Sequence, residues 1–181
     1  SSQFEDDEMP VDTLFRCYDE MPAVEKHALN LAEGRILDVG AGSGCHSVVL
    51  KSMGKECVAI DISALSVEVM KERGVDGRLI NFYDEKFTEK FDTILMLMNG
   101  SGIIGKLENM PQFFAKAKEL LKPGGCILMD SSDLCYLYED EDGSMEIDLA
   151  DEYYGLIDYK MQYEDVVGNW FDCLYIDYET L

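Results

Sequence analysis

The sequence is poor in basic residues, with 15 lysines and arginines against 37 aspartates and glutamates in 181 residues. Its formal net charge is therefore −22. Proteins that wrap nucleic acid or lie on an anionic membrane need a basic surface that displaces counterions. The charge balance thus argues against both kinds of partner, and in particular against tRNA, rRNA or DNA as a substrate.

Long apolar runs and paired metal ligands are also missing. The longest apolar run, residues 94–98, has the length of a strand and not the ~20 residues of a membrane span. The six cysteines form no Cys-x-x-Cys pair, and the two histidines have no second ligand at short spacing. We therefore expect reduced thiols, no metal site and a cytoplasmic protein. The start lacks a basic and apolar signal segment, and the missing initial Met suggests a processed or trimmed chain.

Short apolar runs alternate with amphipathic stretches, in a chain whose length and 47% apolar content suit one globular domain. The runs lie at residues 36–39, 57–60, 79–80, 93–98 and 126–129. Between them, Ser63 opens a predicted helix that stops at Gly74, and Asn109 with Pro111 opens another that stops at 123–125. Residues 82–90 are too few for a crossover helix and predict a loop or a single turn. This alternation predicts an α/β domain with a doubly wound, mainly parallel sheet.

The most informative segment joins the first strand to a helix through a glycine-rich turn. Gly40, Gly42 and Gly44 remove Cβ atoms, which allows a tight turn and lets a ligand approach main-chain N–H groups. The alternative is a tight turn with no ligand. A dinucleotide fingerprint needs its third glycine five positions after the first, where this chain has Cys45. Asp38 would repel pyrophosphate and attract a cationic ligand such as S-adenosylmethionine (SAM), which carries a sulfonium and an ammonium.

Residues 38–44, Asp-Val-Gly-Ala-Gly-Ser-Gly, resemble the first motif of class I SAM-dependent methyltransferases. Asp61 follows the second strand, where that family has an acidic residue on the ribose hydroxyls. The third strand leads to Asn81, where the family usually has an acidic residue on the adenine amino group. Residues 91–100 resemble the family's fourth strand, and Leu-Lys-Pro-Gly-Gly at 121–125 is also typical of it. The resemblance covers residues 22–130.

The resemblance implies a SAM site built by residues at the carboxyl ends of the strands. These are Asp38, Gly40, Ala41, Gly42, Gly44, Asp61, Ile62, Asn81, Phe82 and Met98. Candidates for acceptor contacts are Tyr18, Asp19, Glu20, His46 and Asn99. The alternative for residues 18–20 is a helix-capping loop. His46 could act as a base, and the alternative for it is an exposed bystander. We assign no catalytic residue and no metal ligand.

The last 51 residues, after Asp130, depart from the family pattern. An acidic stretch at 139–143 predicts a solvated loop, like that at 5–8. Alternation at 157–163 and 170–178, with Gly168-Asn169 between, predicts a β-hairpin. Residues 153–178 hold eight of the 19 aromatic residues, and this region could form a lid over the substrate or pack against the sheet or a partner. Residues 177–181 resemble the start of the family's next helix.

We therefore expect a truncated chain that lacks the family's last helix and antiparallel strand pair. Its open sheet edge or its hairpin could support a homodimer. The expected divisions are an N-terminal acidic segment and possible pocket cover (1–21), a SAM-binding core (22–130), and an acidic loop with the aromatic hairpin (131–181).

The resemblance implies a methyltransferase that acts on an unidentified small molecule. No Asn-Pro-Pro-Tyr or Asp-Pro-Pro-Tyr follows the fourth strand, where it would indicate an amide or amine acceptor in nucleic acid or protein. Two alternatives are a SAM-binding but catalytically silent regulatory protein and an NAD(P)-dependent oxidoreductase. Asp38 and the glycine spacing argue against the oxidoreductase.

Overall fold

A computed structural model describes residues 8–139 and 153–181. The sheet has five strands: β1 Arg35–Val39, β2 Glu56–Asp61, β3 Asp76–Leu79, β4 Phe91–Met96 and β5 Leu121–Met129. All are parallel, and their order in the sheet is β3-β2-β1-β4-β5. The α-helices in the described part of the chain are α1 Ala23–Leu31, α2 Cys45–Ser52, α3 Ala64–Glu72 and α4 Met110–Leu120. The predicted doubly wound α/β fold is confirmed.

The sheet is buried on both faces because alternate residues of its central strands meet different helices. Ile36 packs with Leu29 of α1 and Leu50 of α2. Its neighbour Leu37 belongs to the cluster on the opposite face, which includes Phe113 of α4. Side chains alternate between the faces of a strand, so a strand covered on both sides is apolar at successive positions. This explains why the strands appear in the sequence as continuous apolar runs.

The connection between β3 and β4 is a loop, as its length predicts. Lys116 of α4 holds this loop in place, because its buried ammonium group donates to the carbonyl oxygens of Asp84 and Phe87 at 2.9 and 2.8 Å.

Helix α4 begins after Asn109 as predicted, but one side-chain cap and two strand boundaries differ from the sequence predictions. The Asn109 side chain does not cap α4 but donates to the carbonyl oxygen of Ile104 at 3.0 Å. Strand β4 ends at Met96, because Met98 and Asn99 have positive φ angles of 63° and 61° that no strand continues. Strand β5 begins at Leu121, so the glycine-containing segment that follows α4 extends along β4 instead of forming only a helix stop.

The C-terminal region forms two short antiparallel pairs: β6 (Leu156–Tyr159) with β9 (Phe171–Leu174), and β7 (Gln162–Tyr163) with β8 (Val166–Val167). The turn of the inner pair falls at Glu164, with φ 50°, and not at Gly168-Asn169 as predicted. Gly168 instead donates to the carbonyl oxygen of Met161 at 2.9 Å.

The base of this region packs against the sheet, because Leu174 and Ile176 are buried in the main core cluster. Its far end is different: Tyr163 and Trp170 are 60% and 64% exposed. The base of this region therefore packs on the sheet, which was one of the predicted alternatives. A lid role for its far end stays a prediction.

Two predicted acidic loops, at 5–8 and 139–143, lie outside the described residues except for Glu8 and Glu139. Within the described ranges, no helix has the length and hydropathy that crossing a membrane requires.

We expect Phe113→Ala to lower the free energy of unfolding by about 3–5 kcal/mol, because the ring is fully buried and its loss leaves a cavity. Phe114→Ala is the matched control: the neighbouring ring is 40% exposed, and its loss should cost about 1 kcal/mol or less. Urea unfolding followed by far-UV circular dichroism measures both. Equal losses would contradict this assignment of the core.

Candidate active site

The glycine turn leaves its backbone open at one position. Gly40, Gly42 and Gly44 all have positive φ angles, of 69°, 55° and 76°. A Cβ on Gly40 would lie 2.9 Å from the Ile103 side chain, whereas a Cβ on Gly42 would meet no atom within 4 Å. The N–H groups of Gly40 and Ala41 donate to the carbonyl oxygen of Ile60, so the turn is fixed against the end of β2. Gly42 thus borders free space in a rigid turn.

Asp61 ties the end of β2 to this turn. One carboxylate oxygen accepts the N–H of Gly42 at 2.9 Å, and the other accepts the N–H of Ser63 at 2.8 Å. A carboxylate offers about four acceptor positions, so two remain for the hydroxyl groups of a ligand. The next side chain, Ile62, is 75% exposed and provides an apolar surface beside the carboxylate.

The sheet order sets the arrangement of the predicted cofactor residues along one edge. The end of β1, with its glycine turn, lies between Asp61 at the end of β2 and Met98 after β4. Asn81 follows the edge strand β3, and Ile80 donates its N–H to the Asp61 carbonyl oxygen at 3.1 Å. Phe82 differs from the exposed Asn81, because Phe82 is buried and its ring packs on Phe113.

Asp38 lies inside the protein rather than at the open edge. It is 2% exposed, and its carboxylate accepts a hydrogen bond of 2.6 Å from the Ser47 hydroxyl in α2. Burial raises the pKa of Asp38, and the positive charge of His46 and the hydrogen bond from Ser47 oppose that rise. The side chain therefore holds α2 against β1, and its attraction of a cationic ligand stays a prediction.

His46 is buried, so its interpretation as an exposed bystander is wrong. Its Nε2 lies 2.8 Å from one Glu25 oxygen, while Arg16 donates to the other. Burial alone would lower the pKa of His46, but hydrogen bonds to Cys45 and Glu25 and the Asp38 charge raise it to about 10. An imidazole held protonated by a buried carboxylate is a poor base.

Glu25 is the centre of this buried cluster. Burial alone would raise the pKa of Glu25, but the hydrogen bonds and charges of His46 and Arg16 lower it to about 2. The Arg16 Nε–H is buried and has no hydrogen-bond partner among the described residues. Sequence reasoning singled out His46 but missed its pairing with Glu25, since a contact over 21 residues leaves no spacing signal.

Tyr18 and Asp19 share a cavity with residues other than the cofactor candidates. They line a cavity of about 300 Å³ together with Phe15, Val48, Arg73 and others, and no described cofactor candidate borders it. Glu20 accepts the N–H of Cys17 at 2.7 Å, which supports the capping-loop alternative for this segment.

The turn after β4 is fastened from two sides. Asn99 donates its amide to the carbonyl oxygen of Leu174 in β9 at 3.2 Å and accepts from the Ser101 hydroxyl at 2.9 Å. Asp130, after β5, accepts the N–H groups of Met98 and Gly100, both at 3.0 Å. Sequence reasoning missed Asp130, although it comes directly after strand β5, at the same edge of the parallel sheet as Asp61 at the end of β2. The Asn99 amide is therefore committed to the protein rather than free in a flexible loop.

Comparison with known proteins gives one family. A family model described as a methyltransferase domain matches residues 37–129. A solved structure, a SAM-dependent methyltransferase from Bacteroides fragilis in complex with S-adenosyl-L-homocysteine, is 64% identical. The match covers 99% of this chain and 73% of that one, with a TM-score of 0.91.

Curated relatives match over shorter stretches. A cypemycin N-terminal methyltransferase from a Streptomyces species is 29% identical over 106 residues, which are 56% of this chain and 43% of that protein. A ubiquinone biosynthesis O-methyltransferase from Mesorhizobium japonicum is 27% identical over 99 residues, 52% of this chain and 39% of that protein. The chain thus spans about two fifths of the length of these relatives.

The buried cluster predicts a specific pH dependence of stability. Because the folded pKa of His46 lies above its ordinary value, protonated His46 stabilises the fold fully below pH 6.5, and this contribution is lost as the pH rises to about 10. Glu25 contributes above pH 4.5 and loses that contribution as the pH falls towards 2. Between pH 6.5 and 10, the free energy of unfolding should therefore fall by at most about 1.4 kcal/mol per pH unit on account of His46.

We expect His46→Gln to flatten this fall, and His27→Gln, at an exposed position of α1, to leave it unchanged. Urea unfolding across that pH range measures the three slopes. Equal slopes for wild type and His46→Gln would show that His46 is not protonated in the folded protein.

Proposed function

Because this chain belongs to the SAM-dependent methyltransferase family, we propose that it binds SAM and transfers the methyl group to a small molecule. The observation that carries the proposal is the open glycine turn joined to the Asp61 carboxylate by the Gly42 N–H. A 64% identical relative was solved with S-adenosyl-L-homocysteine (SAH), which supports the same cofactor here.

The residues along this edge fit SAM. Gly42 leaves open space where a side chain would stand, as close approach of a ligand to the backbone requires. Asp61 keeps acceptor positions for a pair of ribose hydroxyls, and hydrogen bonds to a carboxylate are stronger than those between neutral groups. Ile62 offers an apolar surface beside that position.

When bound, SAM supplies a methyl carbon that its sulfonium already activates. The chain's own contribution is then positioning, which is a large part of catalysis when two reactants must be aligned. Asp130 holds the Met98–Asn99 turn through two backbone N–H groups, and Leu174 holds the Asn99 side chain. The end of β4 would therefore present a fixed surface to the acceptor.

We further infer that the acceptor is not a nucleic acid, since a net charge of −22 repels a polyanion. The curated relatives are named as an N-terminal methyltransferase and an O-methyltransferase, so they do not favour one kind of acceptor. The six cysteines are unpaired, which supports a reducing, cytoplasmic location.

A homodimer is part of the proposal. Strands β3 and β5 are the edges of the sheet within the described residues, and exposed strand edges favour association. Sedimentation velocity at several concentrations should show a dimer, whereas a monomer at every concentration would contradict this.

We expect Asp61→Ala to weaken SAH binding by about 10- to 100-fold, because it removes hydrogen bonds to a charged group. Isothermal titration calorimetry measures the change. Asp76→Ala is the matched control, since Asp76 is an exposed residue at the start of β3, opposite Val58 of β2, and pairs with Arg78.

The same titration separates the alternatives. Tighter binding of NAD than of SAH by wild type would overturn the methyltransferase proposal in favour of an oxidoreductase. Tight SAM binding without turnover of any acceptor in a broad panel would indicate a silent regulatory protein.

A further inference from the structure

One face of the β6–β9 pair is uncharged. Residues that lie opposite each other in an antiparallel pair point to the same side, and the side alternates along each strand. Tyr159 is opposite Phe171, and Ile157 is opposite Cys173, so these four side chains share a face. We call it the aromatic face, because the rings of Tyr159 and Phe171 lie side by side, with their centres 5.9 Å apart.

The other face of the pair is charged. It carries Asp158 opposite Asp172, and just beyond β6 the ammonium group of Lys160 lies 5.5 Å from the centre of the Trp170 ring. Lys160 and Trp170 follow in the same register, so the Trp170 ring belongs to this second face. The strand pair thus keeps its charged side chains on one side, although 29% of the chain is charged.

The aromatic face begins at the turn that follows β4. The Cys173 Sγ lies 3.3 Å from the amide nitrogen of Asn99, and a Cβ on Gly102 would lie 3.0 Å from the same sulfur. Tyr175, two residues after Cys173, is partly buried at this junction. Burial raises the pKa of Tyr175 to about 12, and the neighbouring Cys173 and Tyr159 add to that rise. The aromatic face is therefore continuous with the turn that the proposed function places beside the acceptor.

Further from this turn the aromatic face is open. Tyr159 and Phe171 are 38% and 46% exposed, and a contiguous exposed apolar surface is typical of a binding site. Aromatic side chains attract flat rings by stacking and cations through the ring quadrupole. A cation would also be drawn to carboxylates, and those of Asp158 and Asp172 belong to the opposite face. The aromatic face therefore favours an uncharged ring.

We propose that the aromatic face binds the methyl acceptor, and that this acceptor carries an uncharged aromatic ring system. The inference rests on the proposed function and names the substrate class of the same site. The ring system of the acceptor packs on Tyr159 and Phe171, and its reacting atom lies towards the Asn99 turn. The C-terminal strands thereby select the acceptor, while the strand ends of the parallel sheet hold the cofactor.

The test uses naphthol as the probe, with decalol, its fully saturated counterpart, for comparison. Both are titrated into SAH-saturated protein, and NMR chemical shifts give the Kd of each. Wild type should bind naphthol more tightly than decalol, because only the flat ring stacks on the aromatic face. We expect Phe171→Ala to weaken naphthol binding by about 5- to 30-fold, since it removes one stacking ring, and to leave the Kd for SAH unchanged.

Two further variants exclude indirect effects. Tyr159→Ala removes the ring opposite Phe171 and should weaken naphthol binding as Phe171→Ala does. Trp170→Ala removes the adjacent ring, which is 64% exposed, from the charged face, and should leave naphthol binding unchanged. A general loosening of the strand pair would also appear in Trp170→Ala, and thermal melting of all three variants checks the fold.

The other occupants of this face give different results. Equal Kd values for naphthol and decalol would overturn the aromatic class of acceptor, and tighter binding of tetramethylammonium than of naphthol would overturn it in favour of a cation. Equal losses in Phe171→Ala and Trp170→Ala would overturn the choice of face. A dimer that dissociates in Phe171→Ala, with naphthol binding unchanged, would assign the face to a second copy of the chain.

The same titrations separate this inference from the proposed function. SAH binding by wild type without naphthol binding would overturn the acceptor class alone. Failure of wild type to bind SAH would overturn the proposed cofactor and, with it, this inference.

Discussion

The hydrogen bond from the Gly42 N–H to the Asp61 carboxylate is the constraint on which the rest of the site depends. It joins the ends of two adjacent parallel strands, so the glycine turn and the proposed ribose ligand move as one unit. Gly42 has a left-handed φ of 55°, which glycine adopts without the strain a side chain would bring. The same contact therefore fixes the backbone of the glycine turn and the orientation of the Asp61 carboxylate before any ligand is bound.

Behind this edge, the protein compensates for buried charge locally. Arg16 and His46 are cationic and Glu25 is anionic, and Asp38 lies close enough for its charge to act on His46. Burying ions is costly unless they are paired, and here each one has a partner or an opposite charge nearby. The N-terminal segment, α1 and α2 are therefore connected by charge as well as by apolar packing. Although the chain as a whole is strongly acidic, Arg16 and His46 place two positive charges beside the buried Glu25.

The parts of this picture that local sequence determines could be predicted, and those that depend on distant pairing could not. The glycine turn and Asp61 are recognisable because their chemistry is contained in a few adjacent residues. Asn109 looked like a side-chain cap, but its NH₂ group donates to the carbonyl oxygen of Ile104 and its side chain accepts no N–H of α4. Gly168-Asn169 looked like a hairpin turn, but the pairing of β6 with β9 and the burial of Leu174 set a different register. Glu25 and His46 meet only because α1 packs on α2.

Leu174 belongs at once to the main core and to the turn that follows β4, through its buried side chain and its carbonyl oxygen. Changes in the C-terminal strands therefore reach the surface proposed to face the acceptor without any change in the residues of that surface. Substrate range in this protein can diverge through replacements in β6 and β9, while the cofactor edge stays as it is. The same connection limits that divergence, because each replacement must also preserve the core.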